Sequence, residues 1–251
     1  MNYVEYGKEN SKTILLLHGG GLSWWSYRET AEKLSTDYRV ILPILDGHAD
    51  SRSDFTTIED NAARIIRFID EELGGFVLLI GGLSLGGQIL LEIMAQRSNV
   101  CKYAVIESAL VLPSRVTHAL IKPVFGSCYG LICQKWFAKL QFKSLRIKPD
   151  LFGDYFRDTC GISKSNMIAF LQANAMYVLK TYIANCSAKA YILVGEKENA
   201  AMLRSAEIIH KKLQGSTLQV IPRMHHGEFS INHADAYVDK IREILQDNRK
   251  Y

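Results

Sequence analysis

The 251-residue sequence contains no apolar run that approaches the roughly 20 residues needed by a membrane-spanning helix. Its start, MNYVEYG, lacks the basic-then-apolar order of a secretory signal peptide. These two absences lead us to expect a cytoplasmic protein. Hydrophobic residues nevertheless make up 48% of the chain, which is enough to bury a full core. We expect one domain that carries an insertion.

Cysteine is scarce, and the few cysteines form no C-x-x-C pair and have no histidine at metal-ligand spacing. The adjacent His225 and His226 likewise lack further Cys, Asp or Glu ligands at a suitable spacing. The sequence therefore predicts neither a metal site nor a cofactor. Reduced thiols that pack as small hydrophobes are expected at Cys101, Cys128, Cys133, Cys160 and Cys186.

What the sequence does contain is an alternation of apolar strand runs and amphipathic helix patterns. Thr13–Leu17 and Arg39–Pro43 are strand runs, and a capping box at Thr57–Asp60 opens a helix that stops at Gly74-Gly75. This order predicts an α/β fold with a mostly parallel central sheet and helices on both faces. Further strand and helix patterns alternate at residues 76–83, 89–94, 102–108, 190–194, 202–213, 218–221 and 237–245.

One strand runs into a glycine-dense turn with a single serine at its apex. The turn Gly82-Leu83-Ser84-Leu85-Gly86 has the pattern G-x-S-x-G. Near-absent side chains two positions before and after the serine let a strand and a helix pass close together. The helix N-terminus beneath Ser84 would offer unpaired N–H groups to a developing negative charge. A glycine-rich junction that only packs is the alternative interpretation.

This strand-turn-helix unit resembles the nucleophile elbow of the α/β-hydrolase superfamily. The first strand run ends in a second matching feature, His18-Gly19-Gly20-Gly21. The resemblance implies that Ser84 is a nucleophile and that backbone N–H groups of Gly20 and Leu85 form an oxyanion hole. A simple turn after the strand is the alternative for the three glycines. We expect His18 itself to be a structural hydrogen-bonding residue.

A third stretch, Asp46 to Ser51, resembles the superfamily's D-x-x-G-H-G-x-S sequence, with Ala49 in place of the second glycine. Asp46 and His48 could be taken for a catalytic pair. We interpret them as turn-capping residues, because Asp side chains commonly close such turns on their own backbone.

The resemblance also implies an acid and a base. The acid most often follows the strand at 190–194 in a G-x-x-D pattern, and that position is Glu198. Glu107, at the end of the preceding strand, is the main rival, and Glu196 is a weaker candidate. In the superfamily the catalytic histidine directly precedes a small residue on the loop after the last strand. His226, which precedes Gly227, fits this pattern, and His225 is the fallback.

A segment far longer than a usual crossover separates the strands at 102–108 and 190–194. By resemblance it is a helical lid over the active site, so we predict a core of residues 1–110 and 182–251 and a lid of residues 111–181. Amphipathic runs occur in it around 131–145 and 167–179.

The lid region is basic, although the formal net charge of +4 is too small to indicate a polyanionic partner. Residues 111–190 contain eleven Lys or Arg and three Asp or Glu. Three interpretations of this basic segment are open. Its charge could draw anionic acyl substrates to the cleft, or the segment could lie on an anionic membrane surface. Alternatively, its charged side chains could form a solvated face whose aromatic residues pack inward. Nucleic acid is not expected, because no binding motif accompanies the charge. The aromatics are Phe125, Tyr129, Trp136, Phe137, Phe142, Phe152, Tyr155 and Phe156.

Together these features predict a serine hydrolase that cleaves a carboxylic ester or thioester of a small-molecule substrate through an acyl-enzyme. A serine at the apex argues against haloalkane dehalogenases and epoxide hydrolases, whose related sites use an aspartate nucleophile. Acyltransferases and carbon-carbon hydrolases or lyases remain alternatives within the fold. A non-catalytic ligand receptor and a membrane-surface lipase are alternatives of other kinds.

Overall fold

The computed structural model of the protein describes residues 1–246. Its strands are β1 Tyr3–Tyr6, β2 Thr13–Leu17, β3 Arg39–Pro43, β4 Val77–Leu83, β5 Cys101–Glu107, β6 Lys189–Gly195 and β7 Thr217–Ile221. Within these residues the strands form one sheet in the order β1-β3-β2-β4-β5-β6-β7. β1 is antiparallel to β3, and all the other neighbours are parallel. The predicted α/β fold with a mostly parallel sheet is confirmed.

Ten α-helices accompany the strands within residues 1–246, and they cover both faces of the sheet. They are α1 Arg28–Leu34, α2 Ile58–Glu72, α3 Leu85–Gln96, α4 Arg115–Cys128, α5 Lys135–Leu145, α6 Phe152–Gly161, α7 Lys164–Met176, α8 Ala200–Lys212, α9 Glu228–Asn232 and α10 Ala234–Gln246. Short 3-10 helices lie at Trp24–Tyr27, Tyr129–Leu131, Pro149–Leu151 and Thr181–Asn185. None of these helices has the length and apolarity needed to cross a bilayer.

Alternate residues of the central strands enter two separate cores. Ile14 and Leu16 of β2 belong to the cluster that includes the apolar faces of α1 and α10. Leu15 and Leu17 belong to the opposite cluster, which includes those of α2, α3 and α8. A strand buried on both sides needs apolar residues at every position, which explains why the parallel strands appear as continuous apolar runs in the sequence.

β1 is the strand that the sequence did not predict. It pairs with β3 at the edge of the sheet, with Tyr3 opposite Pro43. Its four residues are exposed or half-buried, and Glu5 forms an ion pair with Arg39 at 2.5 Å. An edge strand this short and polar carries no apolar run, so its signal is weak.

The inserted segment, residues 108–188, joins β5 to β6 and contains α4, α5, α6 and α7. The predicted amphipathic runs correspond to α5 and α7, whereas α4 and α6 were not predicted. Two buried side chains of the core fasten the segment. The side-chain amide of Gln88 bonds to the Leu110 and Asn174 carbonyls at 2.7 and 3.0 Å, and the Trp25 indole N–H donates to Asp158 at 2.9 Å.

Aromatic residues of the inserted segment do not all pack inward. Phe142 and Tyr155 are buried, at 6% and 5% exposure, and their rings lie 5.1 Å apart. Trp136 is 63% exposed. Phe142 and Tyr155 thus pack inward, and Trp136 does not.

Candidate active site

The turn between β4 and α3 has the strained geometry that its sequence predicts. Ser84 stands between them with φ 53° and ψ −112°, a conformation that L-residues rarely adopt. A Cβ at Gly82 would overlap the carbonyl of Gly86, and a Cβ at Gly86 would overlap the carbonyl of Leu17. The two glycines are therefore required by close backbone approach.

Ser84 lies beside the imidazole of His226, which comes from the loop after β7. The distance between Ser84 Oγ and His226 Nε2 is 3.0 Å, and the distance between His226 Nδ1 and Glu198 Oε2 is 2.7 Å. Glu198 follows β6. The three side chains, far apart in sequence, thus form one hydrogen-bonded chain at the carboxyl edge of the sheet.

The Glu198 carboxylate is buried, with 1% of its side chain exposed. Its second oxygen, Oε1, accepts hydrogen bonds from Ser108 Oγ at 2.6 Å and from the Gly195 N–H at 2.8 Å. Burial alone would raise the pKa of Glu198, but the bonds from His226, Ser108 and Gly195 outweigh it, so the pKa lies below its ordinary value. Glu198 is therefore ionised at neutral pH and favours a proton on His226 Nδ1.

The glycine loop after β2 is held by two buried histidines. His48 Nε2 accepts the Gly21 N–H at 3.0 Å, and His18 Nε2 accepts the Leu45 N–H at 3.2 Å. Burial lowers the pKa of His48 to about 4 and the pKa of His18 well below its ordinary value, so both rings are neutral acceptors. The structural role expected for His18 is confirmed. His48 acts as a backbone clamp for the glycine loop.

A small, mostly apolar cavity of about 110 Å³ adjoins the Ser84 side chain. The inserted segment contributes Leu145 and Ile147 to its wall, and Gly20 lies in the opposite loop. The remaining lining residues are Gly19, Leu22, Leu83, Ser84, His226, Gly227 and Ile231. The candidate nucleophile Ser84, the candidate base His226 and a glycine loop thus line one space that is large enough for a short acyl group.

The family model described as "Alpha/beta hydrolase family" matches residues 14–240 of the chain. The chain belongs to this family. Solved structures agree on the fold: the enol-lactonase from Burkholderia xenovorans LB400 superposes with a TM-score of 0.81 at 16% identity, covering 98% of this chain and 96% of that one. The esterase EaEST from Exiguobacterium antarcticum superposes with a TM-score of 0.81 at 18% identity, covering 98% and 95%.

Among curated proteins, this α/β-hydrolase is similar to a pimeloyl-[acyl-carrier protein] methyl ester esterase of Neisseria meningitidis serogroup C. The two are 23% identical over 250 residues, which cover 94% of this chain and 94% of that protein. A shorter similarity, 46% over 50 residues, links the chain to the magnesium-chelatase 30 kDa subunit of Rhodobacter capsulatus and covers 20% of this chain.

The two alternative candidates for the acid, Glu107 and Glu196, form other hydrogen bonds. Glu107 is buried, and its Oε1 accepts the Ser230 N–H at 3.3 Å. Burial raises its pKa to about 7, against the lowering effect of the Ser230 hydrogen bonds. Glu196 accepts the Arg223 N–H at 2.7 Å. Of the three candidate acids in the described chain, Glu198 is the one hydrogen-bonded to the His226 ring.

His225, the fallback base, is not hydrogen-bonded to Ser84 among the described contacts. Its backbone N–H donates to Glu228 at 2.9 Å, and the residue lines a cavity of about 230 Å³ that His226 also lines. Sequence reasoning missed Ser108, which holds the Glu198 carboxylate, because a serine after a strand belongs to no motif.

The cysteines and histidines form no metal site within residues 1–246, where no three ligand-type side chains converge. The five cysteines are free thiols, and Cys101 is buried among core residues. The absence of a cofactor stays a prediction.

Proposed function

We propose that this α/β-hydrolase cleaves carboxylic esters or thioesters with Ser84 as nucleophile, His226 as base and Glu198 as acid. The observation that carries the proposal is the pair of contacts of the His226 ring, 3.0 Å to Ser84 Oγ and 2.7 Å to Glu198 Oε2. A base within hydrogen-bond reach of a nucleophile, and oriented by a third group, is the arrangement that activates a serine. The similarity to an esterase of Neisseria meningitidis supports the same reaction class.

In the proposed reaction, His226 Nε2 takes the Ser84 hydroxyl proton as Oγ bonds to the acyl carbon. Ionised Glu198 stabilises the resulting imidazolium, and the N–H groups of Gly20 and Leu85 hold the oxyanion. The bond to the leaving group then breaks, and the leaving group takes the proton from His226. Water, which gives a proton to His226, attacks the acyl-enzyme, and the acid departs as Oγ regains its proton.

We also propose that residues 111–181 act as a lid on a core of residues 1–110 and 182–251. The support is the position of Leu145 and Ile147, which belong to the inserted segment and line the cavity beside Ser84. Their apolar side chains exclude water from the proposed oxyanion, which strengthens every electrostatic contact made there. The proposed substrate is a small acyl compound.

The test is labelling by a fluorophosphonate probe, followed by intact-mass and peptide mass spectrometry. We expect one adduct on Ser84 in the wild type, none in Ser84→Ala, and labelling slowed at least about a hundredfold in His226→Gln and Glu198→Gln. The neighbours supply matched controls: His225→Gln and Glu196→Gln should label at the wild-type rate. A folded wild type that takes up no probe, or equal rates in Glu198→Gln and Glu196→Gln, would refute the proposed mechanism.

A further inference from the structure

A second cavity, of about 630 Å³, opens on the inserted segment next to the active site. It is lined by four cationic side chains, those of Lys139, Lys143, Arg146 and Lys148, and by two aromatic side chains, those of Phe142 and Phe152. We call this space the cationic cavity. The two rings lie 5.4 Å apart and meet edge to face.

Three of the four cations have no carboxylate partner in the described part of the chain. Lys148 forms an ion pair with Glu29 and lies 4.0 Å from Asp150. Lys139, Lys143 and Arg146 form no ion pair within residues 1–246, and all three are exposed. Exposed cations grouped around a cavity without counter-charges create a positive potential that attracts anions.

The sequence explains why no carboxylate neutralises Lys139, Lys143 and Arg146. From residue 108 to residue 149 the chain contains seven Lys or Arg and no Asp or Glu. Another arginine-rich cavity, of about 400 Å³ beside β1, provides a contrast, because Asp46, Glu71 and Glu72 stand among its arginines. Balanced charge is thus present elsewhere on the molecule and missing from the cationic cavity.

The cationic cavity shares walls with the active site. Ile147 lines both the cationic cavity and the cavity at Ser84. Arg146 lines both the cationic cavity and the space that contains the Glu198 and His226 side chains. The cationic cavity therefore adjoins the space at Ser84 through Ile147 and the space at Glu198 and His226 through Arg146.

We propose that the cationic cavity binds a phosphorylated leaving group of the acyl substrate, with phosphate oxygens among Lys139, Lys143 and Arg146. The uncharged part of the group packs on Phe142 and Phe152. The guanidinium fork of Arg146 matches phosphate geometry, and lysines bind it as point charges. The phosphate stays intact in the reaction: the acyl bond breaks, and the phosphorylated alcohol or thiol leaves with the proton from His226. This inference rests on the proposed ester or thioester hydrolysis.

The first experiment compares two thioesters with the same acyl group, butyryl-coenzyme A and butyryl-N-acetylcysteamine, which differ in the phosphorylated part. We expect the wild type to prefer the phosphorylated compound in kcat/KM by about tenfold or more, and the preference to shrink as salt is raised from about 0.05 M to about 0.5 M. The triple variant Lys139→Gln, Lys143→Gln, Arg146→Gln should lose most of this ratio.

A charge-matched control separates a local site from overall charge. The variant Lys8→Gln, Lys12→Gln, Lys211→Gln removes three exposed cations far from the cavity in sequence and should keep the wild-type ratio. Equal ratios in the wild type and the cavity variant would overturn the inference while leaving ester hydrolysis in place. A fall in the ratio in both variants would do the same, because it would trace the preference to net charge.

A binding measurement tests the cavity without chemistry, so failure of the proposed reaction does not hide the answer. Coenzyme A is titrated calorimetrically into Ser84→Ala protein. We expect binding that weakens about tenfold or more when the three cavity cations are also replaced, and not when the control cations are replaced. Absence of binding to Ser84→Ala protein that is folded by circular dichroism would overturn the inference.

Discussion

Ser108 is the side chain that joins the ends of β5 and β6 at the active site. Its hydroxyl donates to the same Glu198 oxygen as the Gly195 N–H, at 2.6 Å. A carboxylate held by several donors has little freedom to turn away from the imidazole, and its charged form is favoured. In the proposed mechanism Ser108 is therefore a positioning residue that acts through Glu198.

Replacing Ser108 by alanine should raise the pKa of Glu198, because one donor to the charged form is lost. We expect kcat/KM to fall about tenfold and its acidic limb to move to higher pH, since a protonated Glu198 no longer stabilises the imidazolium. A pH profile of ester hydrolysis measures both. Ser187→Ala, which removes an exposed hydroxyl bonded to the Ser98 carbonyl, is the control. A uniform drop without a shift of the limb would contradict the positioning role.

Glu107 offers a stability prediction with a defined sign. Its folded pKa, about 7, lies above the ordinary value of 4.5, so the folded state holds a proton that the unfolded state releases between these pH values. The contribution of Glu107 to the free energy of unfolding is present below about pH 4.5 and is lost as pH rises through about 7. The resulting decrease in the free energy of unfolding is of the order of a few kcal/mol.

Glu107→Gln should remove this pH dependence. Urea unfolding at pH 5 and pH 8 should give a smaller decrease in stability for the variant than for the wild type. The exposed Glu71→Gln serves as control. Equal decreases in the Glu107→Gln variant and the wild type would show that the buried carboxyl is already ionised. Loss of probe labelling at Ser84 in Glu107→Gln would point to Glu107 as the acid.

At the scale of elements, the short helix α9 connects the histidine loop to the inserted segment. α9 starts directly after His226-Gly227 and ends at Asn232. The Asn232 side chain donates to the Arg146 carbonyl at 2.7 Å and accepts the Lys148 N–H at 3.0 Å. One asparagine thus fixes the turn after α5 that places residues 145 and 147 beside Ser84.

Asn232→Ala should loosen this turn and leave the Lys148 N–H and the Arg146 carbonyl without their partner. We expect KM for a short ester such as p-nitrophenyl butyrate to rise about threefold to tenfold with a smaller change in kcat, because the cavity wall is affected more than the Ser84 contacts. Asn10→Ala, which removes a comparable bond from an asparagine side chain to the Ser35 carbonyl, should leave KM as in the wild type. A fall in kcat alone would argue against a role in the wall.

At the scale of the whole molecule, the sheet explains which features the sequence predicts. Ser84, Glu198 and His226 each follow a strand, and the carboxyl ends of parallel strands meet at one edge. Motif and strand together could therefore place these side chains near one another. The helix α4 could not be found in this way, because it exposes Val116 at 71% and buries little apolar surface of its own.

The way in which the inserted segment packs on the core could not be predicted from the sequence either. It depends on hydrogen bonds between residues far apart in the chain, such as those from Gln88 to Leu110 and Asn174. A buried amide with several partners has no periodic pattern in the sequence, so only the folded chain shows which groups meet.

Gln88→Ala should detach the segment while the sheet stays intact. Gln88 is fully buried, and its loss leaves polar groups at 110 and 174 unpaired, at a cost of about 1–3 kcal/mol. Hydrogen-deuterium exchange should accelerate in residues 111–181 and stay slow in β4, β5 and β6. Gln96→Ala, in the same helix, is the control. Equal acceleration in sheet and segment would contradict a division into core and lid.

Arg146 has a left-handed backbone conformation, with φ 56°. At this position the residue that gives the higher thermal stability differs from the residue that the proposed substrate preference requires. Left-handed backbone costs a side chain about 1–2 kcal/mol, and glycine adopts it without that strain. Replacing this arginine by glycine should therefore stabilise the folded chain. We expect Arg146→Gly to raise the melting temperature slightly and to reduce the proposed preference for phosphorylated thioesters, whereas Arg223→Gly, at φ 63°, should raise the melting temperature without changing that preference. Measurement of the melting temperatures and kcat/KM ratios of these two variants tests whether the strained backbone at Arg146 accompanies a contribution of its side chain to substrate binding.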